Sequence, residues 1–292
     1  MAGRPVVAGT DGSEESLRAV EWAAREAVLR GLPLRVVSAA ALPPRMNERQ
    51  AEAVGGLDTV SDALRKDRDR ALAAAAERVR AAAPGLLTDV DDLAGAPATA
   101  LTEAGSGASM LVVGARGIGA FTALILGSVS RYVSAHATCP VVVVREETTA
   151  AHRQVGVGVG DPARSAAALA FAFEEAKLRK ASLVAVHAVD EPYSGRAGWA
   201  MTTPGRPAWE QEAVRQLDDV LAEWQAKYPD VQVSRDFVHG HPGRILAGLS
   251  ARADLVVLGR HTAHGPLPGL GAVRHSVLNH AHGPVVTVPS SS

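Results

Sequence analysis

Ala108-Ser109-Met110-Leu111-Val112-Val113-Gly114 and Ala253-Asp254-Leu255-Val256-Val257-Leu258-Gly259 are two versions of one segment, 145 residues apart. Each is a short apolar run closed by glycine, the pattern of a buried strand entering a loop. The same offset carries Gly95-Ala96-Pro97 onto Gly240-His241-Pro242, Pro84 onto Pro229 and Leu101 onto Leu246. Toward the C-terminus, Cys139-Pro140-Val141-Val142-Val143-Val144 matches Gly283-Pro284-Val285-Val286-Thr287-Val288 at an offset of 144. Toward the N-terminus, an offset of 149 aligns Trp22 with Phe171 and Leu34-Arg35-Val36-Val37 with Leu183-Val184-Ala185-Val186. Several anchors at nearly constant spacing mark an internal duplication.

Around those anchors, each copy reads as the same series. An opening strand (Pro5 to Gly9; Val155 to Val159) leads through a turn into a helix of about 15 residues. In copy one that helix carries Leu17, Val20, Trp22, Ala24, Ala27 and Val28 as an apolar stripe and stops at Gly31, a residue type suited to a left-handed C-terminal cap. A second strand follows (Leu34 to Ala39; Leu183 to Val189), then a Pro- and Gly-containing connection (Leu42 to Leu57; Asp190 to Pro207). A charged, alanine-rich helix (Ser61 to Ala83; Ala208 to Tyr228) ends before Pro84 and Pro229, as helices do ahead of proline. A third strand, a short helix, a fourth strand, another helix and a last strand close the unit. Strands alternating with helices predict parallel pairing through helical crossovers, hence α/β domains. The polar stretch 146–153 separates them, giving domains over 1–147 and 153–292.

Composition agrees with that division. The chain has 292 residues, 47% hydrophobic and 21% charged, enough for two packed domains of about 150 residues and unlike a disordered chain. Thirty Lys and Arg stand against 31 Asp and Glu, so there is no basic excess for a polyphosphate backbone and nucleic acid is not expected as a partner. No apolar run approaches the roughly 18 residues of a membrane span. The opening MAGRPVVAGTDG reaches Gly and Asp too soon for a signal peptide, and the cytoplasm is the expected location. The single cysteine, Cys139, excludes an intrachain disulfide and a multi-cysteine metal site. It precedes proline at a buried strand, which suits an inert apolar thiol.

The chemistry concentrates in the loop after the fourth strand of copy one, Gly114-Ala115-Arg116-Gly117, continuing to Gly127-Ser128-Val129-Ser130. Gly117 permits close approach of backbone N–H groups to a ligand. Gly127-Ser128 opens a helix whose first N–H groups favour an anion, and the Ser128 and Ser130 hydroxyls and Arg116 add donors. Ligands of open α/β sheets bind at the carboxyl ends of strands, so the loop reads as a phosphate cradle. No G-x-x-x-x-G-K-[ST] is present and the loop does not follow the first strand, which excludes a Walker loop and the dinucleotide fingerprint. A strand-to-helix connection with convenient glycines is the plainer alternative.

The spacing G-x2-G-x9-G-[ST], met by Gly114, Gly117, Gly127 and Ser128, resembles the ATP-binding pattern of the universal stress protein family. Thr10-Asp11-Gly12-Ser13 after the first strand, the Gly-x-Pro before the short helix and the Cys-Pro-Val-Val-Val-Val strand strengthen the likeness, which spans the chain as a tandem pair. The resemblance implies two Rossmann-like doubly wound domains, each with a five-stranded parallel sheet in the order 3-2-1-4-5, related by a pseudo-two-fold axis with the final strands pairing across it. It implies ATP, with or without Mg, as ligand. Ala8, Gly9, Thr10, Asp11 and Val37 would stand near adenine and ribose, and Gly114, Arg116, Gly117, Gly127, Ser128, Val129 and Ser130 around the phosphates. An N-cap of the first helix is the competing role for Asp11.

Copy two departs at the site. Its loop has Thr262 at the second glycine position, Ala272 in place of Ser128, and two prolines that remove N–H donors. Gly160 stands opposite Asp11, and Asp161 aligns after a one-residue slip. Gly259 and Gly271 keep the frame. Either Arg260, His261, His264 and Arg274, with Ala272 and Val273 beside them, hold the ligand instead, or the copy is a scaffold with a weakened site. Nine of ten histidines lie at or beyond His152, but their spacings fit no structural zinc pattern, and no metal site is expected. Their concentration leaves room for a pH-sensitive phosphate site in copy two.

The expectation is a nucleotide-dependent stress or regulatory protein that works through a protein partner, with ATP hydrolysis slow at most and no catalytic residue. A homodimer through the final strands is an allowed assembly. The alternatives are an ATP-using enzyme of the adenine-nucleotide hydrolase-like group, for which Gly9-Thr10-Asp11-Gly12-Ser13 lacks the Ser-Gly-Gly loop, and a nucleotide-free scaffold.

Overall fold

The computed structural model describes residues 3–40, 57–117, 126–145, 151–161, 164–190, 208–260 and 271–290. The chain divides into two compact units that part between Glu147 and Thr148. The connections expected over 42–57 and 190–207 lie outside the described residues, except for Leu57, which opens a helix, and Asp190. Most of the 146–153 stretch lies outside them too.

The first unit runs β1 (Val6–Gly9), α1 (Glu14–Arg30), β2 (Leu34–Ala40), α2 (Leu57–Ala82), β3 (Thr88–Ala94), α3 (Pro97–Gly105), β4 (Met110–Gly114), α4 (Ser128–His136) and β5 (Val141–Val144). Its strands pair in the order β3-β2-β1-β4-β5, all parallel, with Val6 opposite both Leu34 and Met110. β1, β4 and β5 are buried at every residue, which is what near-continuous apolar strands covered on both faces require. The edge strand β3 carries Asp89, Asp91 and Asp92 instead. Arg35 and Arg68 pair with Asp91 and Asp92, and the charges blunt the edge against further pairing.

The second unit repeats the series as β6 (Gln154–Gly158), α5 (Ala166–Arg179), β7 (Ser182–Val189), α6 (Ala208–Lys227), β8 (Val233–His239), α7 (Pro242–Leu249), β9 (Leu255–Arg260), α8 (Ala272–His280) and β10 (Val285–Pro289). Its strands follow β8-β7-β6-β9-β10, again parallel. Each unit therefore has the predicted 3-2-1-4-5 order. In both, the first two helices pack together and the last two pack together, which covers the two faces of the sheet.

Details depart from the sequence expectations where packing decides. The buried face of α1 is Leu17, Ala19, Val20, Ala23, Ala24, Glu26 and Ala27. Val28 is 57% exposed and Trp22 only half-buried, because the stripe turns with the 3.6-residue period rather than following size. The charged helix begins at Leu57, four residues before Ser61. Gly31 closes α1 at φ 64° as expected, whereas Lys180 takes the equivalent left-handed turn at φ 52°. Glu26 and Glu175, 149 residues apart, are both buried and each pairs with the arginine four residues on, Arg30 or Arg179. Cys139 is buried.

The repeated Gly-x-Pro has a geometric cause. Gly95 stands at φ 103° and Gly240 at φ 135°, a region costly for any residue with a Cβ. The proline two residues on takes the first turn of α3 or α7, where its missing N–H leaves no bond unmade. Together they turn the chain off the third strand so that the short helix lies beside the carboxyl end of the first.

Candidate functional site

The carboxyl ends of β1 and β4 open onto a cavity of about 480 Å³. Gly9, Thr10, Asp11 and Val37 line one side, and Gly114, Arg116 and Gly117 line another. The first residues of α4, Ser128, Val129 and Ser130, with Gly127 before them, complete the wall. Ala8 is fully buried within β1 and stands back from the cavity. Sequence reading missed Ser16, Ala39, Pro97, Leu101 and Val113, which also line it. The Gly-x-Pro turn was the available signal for Pro97 and Leu101, since it aims α3 at the site.

The turn after β1 is fixed by its own hydroxyls. Asp11 Oδ1 accepts from the Ser13 N–H at 3.0 Å and from Ser13 Oγ at 2.6 Å. Ser13, not Asp11, is the N-cap of α1, its hydroxyl accepting from the Ser16 N–H at 3.3 Å. Thr10 is buried, its hydroxyl 3.0 Å from that of Ser16, and it accepts from the Gly12 N–H at 3.2 Å. Thr10 thus braces the turn while Asp11 stands on the cavity wall. Ser13→Ala removes the cap and one of the two donors that orient Asp11, leaving the backbone N–H. An N-cap is worth about 1 kcal/mol, so urea unfolding should report a loss of that size.

The loop glycines are required by close approach. A Cβ on Gly117 would lie 2.1 Å from Asp11 Oδ2, and one on Gly114 2.8 Å from the Glu15 carbonyl oxygen. The first would be driven into a carboxylate and the second into the backbone of α1. Gly9 packs on the Leu101 side chain, with 2.8 Å left for a Cβ, as Gly158 does on Leu246 with 2.9 Å.

Two of the expected donors are engaged within the protein. Ser130 Oγ donates to the Gly114 carbonyl at 2.6 Å, and the Gly127 N–H donates to the Ala115 carbonyl at 2.8 Å. These bonds pin the start of α4 against the end of β4. Gly127 gives α4 no side-chain cap, so the first-turn N–H groups, which have no intrahelical acceptors, face the cavity. Ser128 is exposed at the helix start. The Arg116 Nη2 lies 3.4 Å from Glu15 Oε1, both side chains about a quarter exposed, so the cation is held at the rim. The loop residues 118–125 lie outside the described residues.

In the second unit a cavity of about 760 Å³ occupies the equivalent place, at the ends of β6 and β9. Gly259, Gly271, Ala272, Val273 and Arg274 line it. Asp161 and Arg260 are not among its described lining residues. The Asp161 carboxylate lies 3.3 Å from Arg164, and its carbonyl accepts from Ser165 Oγ at 2.7 Å. His261, Thr262 and His264 fall outside the described residues. Arg274 is 7% exposed, and its Nη1 donates to the Gly259 carbonyl at 3.0 Å. Burial first, and then the charge of Arg260, pull its guanidinium below the usual arginine value. Among the described residues no cluster of three or more His, Cys, Asp and Glu is gathered as a metal site would need, and no helix is long and apolar enough to cross a membrane.

The Universal stress protein family profile matches residues 3–145 and again 152–289. Universal stress protein Rv2005c of Mycobacterium tuberculosis is 35% identical over 303 residues, covering 98% of this chain and 97% of its own. Universal stress protein Rv2623 of the same organism is 33% identical over 305 residues, covering 98% and 96%. Among solved structures, a universal stress protein from Archaeoglobus fulgidus covers 98% of both chains with a TM-score of 0.70 at 20% identity. A universal stress protein solved in complex with cAMP covers 49% of this chain at 32% identity with a TM-score of 0.37.

Proposed function

The chain belongs to the universal stress protein family, and from that premise we propose that its first domain binds an adenine nucleotide, ATP with or without Mg, and serves as a nucleotide-dependent regulatory protein rather than a fast enzyme. One observation carries this reading: the glycines of the G-x2-G-x9-G-[ST] spacing and the open start of α4 line a single cavity with Asp11 and Val37. Its volume falls within the roughly 300–1,000 Å³ of small-molecule pockets. The α4 N-terminus and Arg116 suit phosphates. The Asp11 carboxylate is an acceptor for ribose hydroxyls or a ligand for a phosphate-bound Mg. Val37, Ala39 and Leu101 supply apolar surface for a base.

Asp11 also supports binding over turnover. Its Oδ1 accepts from the Ser13 N–H and hydroxyl, which suits a fixed acceptor better than a base that must take up a proton from water. The same reading includes a protein partner as the output, a cytoplasmic setting and the homodimer through the final strands. Calorimetric titration of the full chain with ATP should give saturable binding, with phosphate release slower than about 1 per second, the low end of ordinary enzyme turnover. Rapid turnover would overturn the regulatory reading, and absence of saturable binding would overturn the nucleotide reading.

A further inference from the structure

At one equivalent position the two cavities differ in charge, the first having a neutral hydroxyl and the second a guanidinium. Ser130 and Arg274 hold the same place, three residues after Gly127 and Gly271. Each side chain donates to the glycine carbonyl near the carboxyl end of the fourth strand of its unit, Ser130 to Gly114 and Arg274 to Gly259. The exchange keeps the bond and places a guanidinium, 7% exposed, in the wall of the second cavity.

Three effects make a cation costly there. Burial strips water from it. Arg260 adds like charge. The first turn of α8 is the positive end of a helix dipole, and the guanidinium folds back over it, Nη2 lying 3.7 Å from where a Cβ on Gly271 would stand. An anion on the cavity side would relieve all three. The described lining contains no carboxylate, whereas Asp11 lines the first cavity. Arg164 is the other cation on the wall, and Asp161 partly offsets it at 3.3 Å. The remaining wall is largely apolar, including Val159, Val186, Ala188, Leu246 and Leu258.

We propose that the second domain binds an organic anion without a metal ion, a single phosphate or carboxylate group on an apolar, aromatic-sized body, with the anionic group against Arg274 and the first turn of α8. Loss of an Asp11 counterpart removes both the metal ligand and the hydroxyl acceptor that a Mg-nucleotide would use, while the buried cation and apolar wall favour a lone anionic group with an apolar tail. This assignment does not depend on nucleotide binding in the first domain.

Calorimetric titration of the full chain with 1-naphthyl phosphate in EDTA tests it. One site per chain is expected, with the same affinity after Mg is restored and in the Gly117→Asp variant, which alters only the first cavity. Arg274→Ser recreates the first domain's hydroxyl donor and should weaken binding at least tenfold. On the unaltered chain, neutral 1-naphthol should bind at least tenfold more weakly than 1-naphthyl phosphate, a comparison that holds even if the variant fails to fold. Titration with 1-naphthoate in parallel identifies whether phosphate or carboxylate is preferred. Equal affinity for naphthol, a requirement for Mg, loss of binding in Gly117→Asp, or unchanged binding in a folded Arg274→Ser would each overturn the proposal.

Discussion

Gly117→Asp is expected to weaken ATP binding in the first domain at least 100-fold while the protein stays folded. The Cβ alone would lie 2.1 Å from Asp11 Oδ2, so Asp11 must leave its position on the cavity wall. The new carboxylate then faces the phosphates proposed to lie between Gly117 and α4. Two like charges about 4 Å apart repel by about 4 kcal/mol at an effective dielectric of 20, and about 2.7 kcal/mol already corresponds to 100-fold. Gly117 is not in a left-handed conformation, so the backbone accepts the substitution without strain. Gly117→Ala displaces Asp11 without adding charge and should have the smaller effect. Calorimetry gives the affinities and far-ultraviolet circular dichroism the fold. Unchanged ATP affinity in a folded Gly117→Asp protein would remove this loop from the site.

The largest expected loss of stability lies in the second domain, at Phe173. It is fully buried on α5, with ring centroids 5.9 Å from Trp224 and 5.5 Å from Tyr228. The two partners, at the end of α6 and just beyond it, are themselves only half-buried, so Phe173 is the interior anchor of the cluster. Truncating a buried phenylalanine costs about 3–5 kcal/mol, through lost transfer energy and the cavity left behind, and here the ring stacking goes with it. Phe173→Ala should therefore lower the stability measured by urea unfolding by that amount, with Trp224 contributing to the fluorescence signal. The offset of 149 places Ala24 at the equivalent position in α1, so the first domain has no counterpart of this cluster. A loss below about 1 kcal/mol would contradict the packing described.

The duplication made the architecture legible because its anchors are backbone necessities. Gly95 and Gly240 are glycines since φ exceeds 100° at both, and Val141 to Val144 are apolar since all four are buried. Constraints of that kind appear directly in residue type. The site loop was legible for the same reason: a Cβ would meet the α1 backbone at Gly114 and the Asp11 carboxylate at Gly117. What a polar side chain bonds to was not legible. Ser13 and Asp11 are both good caps by type, and only the folded turn makes Ser13 the cap and Asp11 its acceptor. Ser130 read as a ligand donor but donates to Gly114, a partner 16 residues away. Arg274 was named among the candidates of the second copy, yet its burial and its equivalence to Ser130 emerge only when both strand ends are in place.

We propose one nucleotide site, lined by Gly114 to Gly117, the start of α4 and the Asp11 turn, with the second cavity given to a different anion. Adenine nucleotide released by heat or acid from the full chain, after saturation with Mg-ATP and desalting, measures this directly. One nucleotide per chain is predicted. None would contradict the nucleotide site itself, and two would contradict the division between the domains.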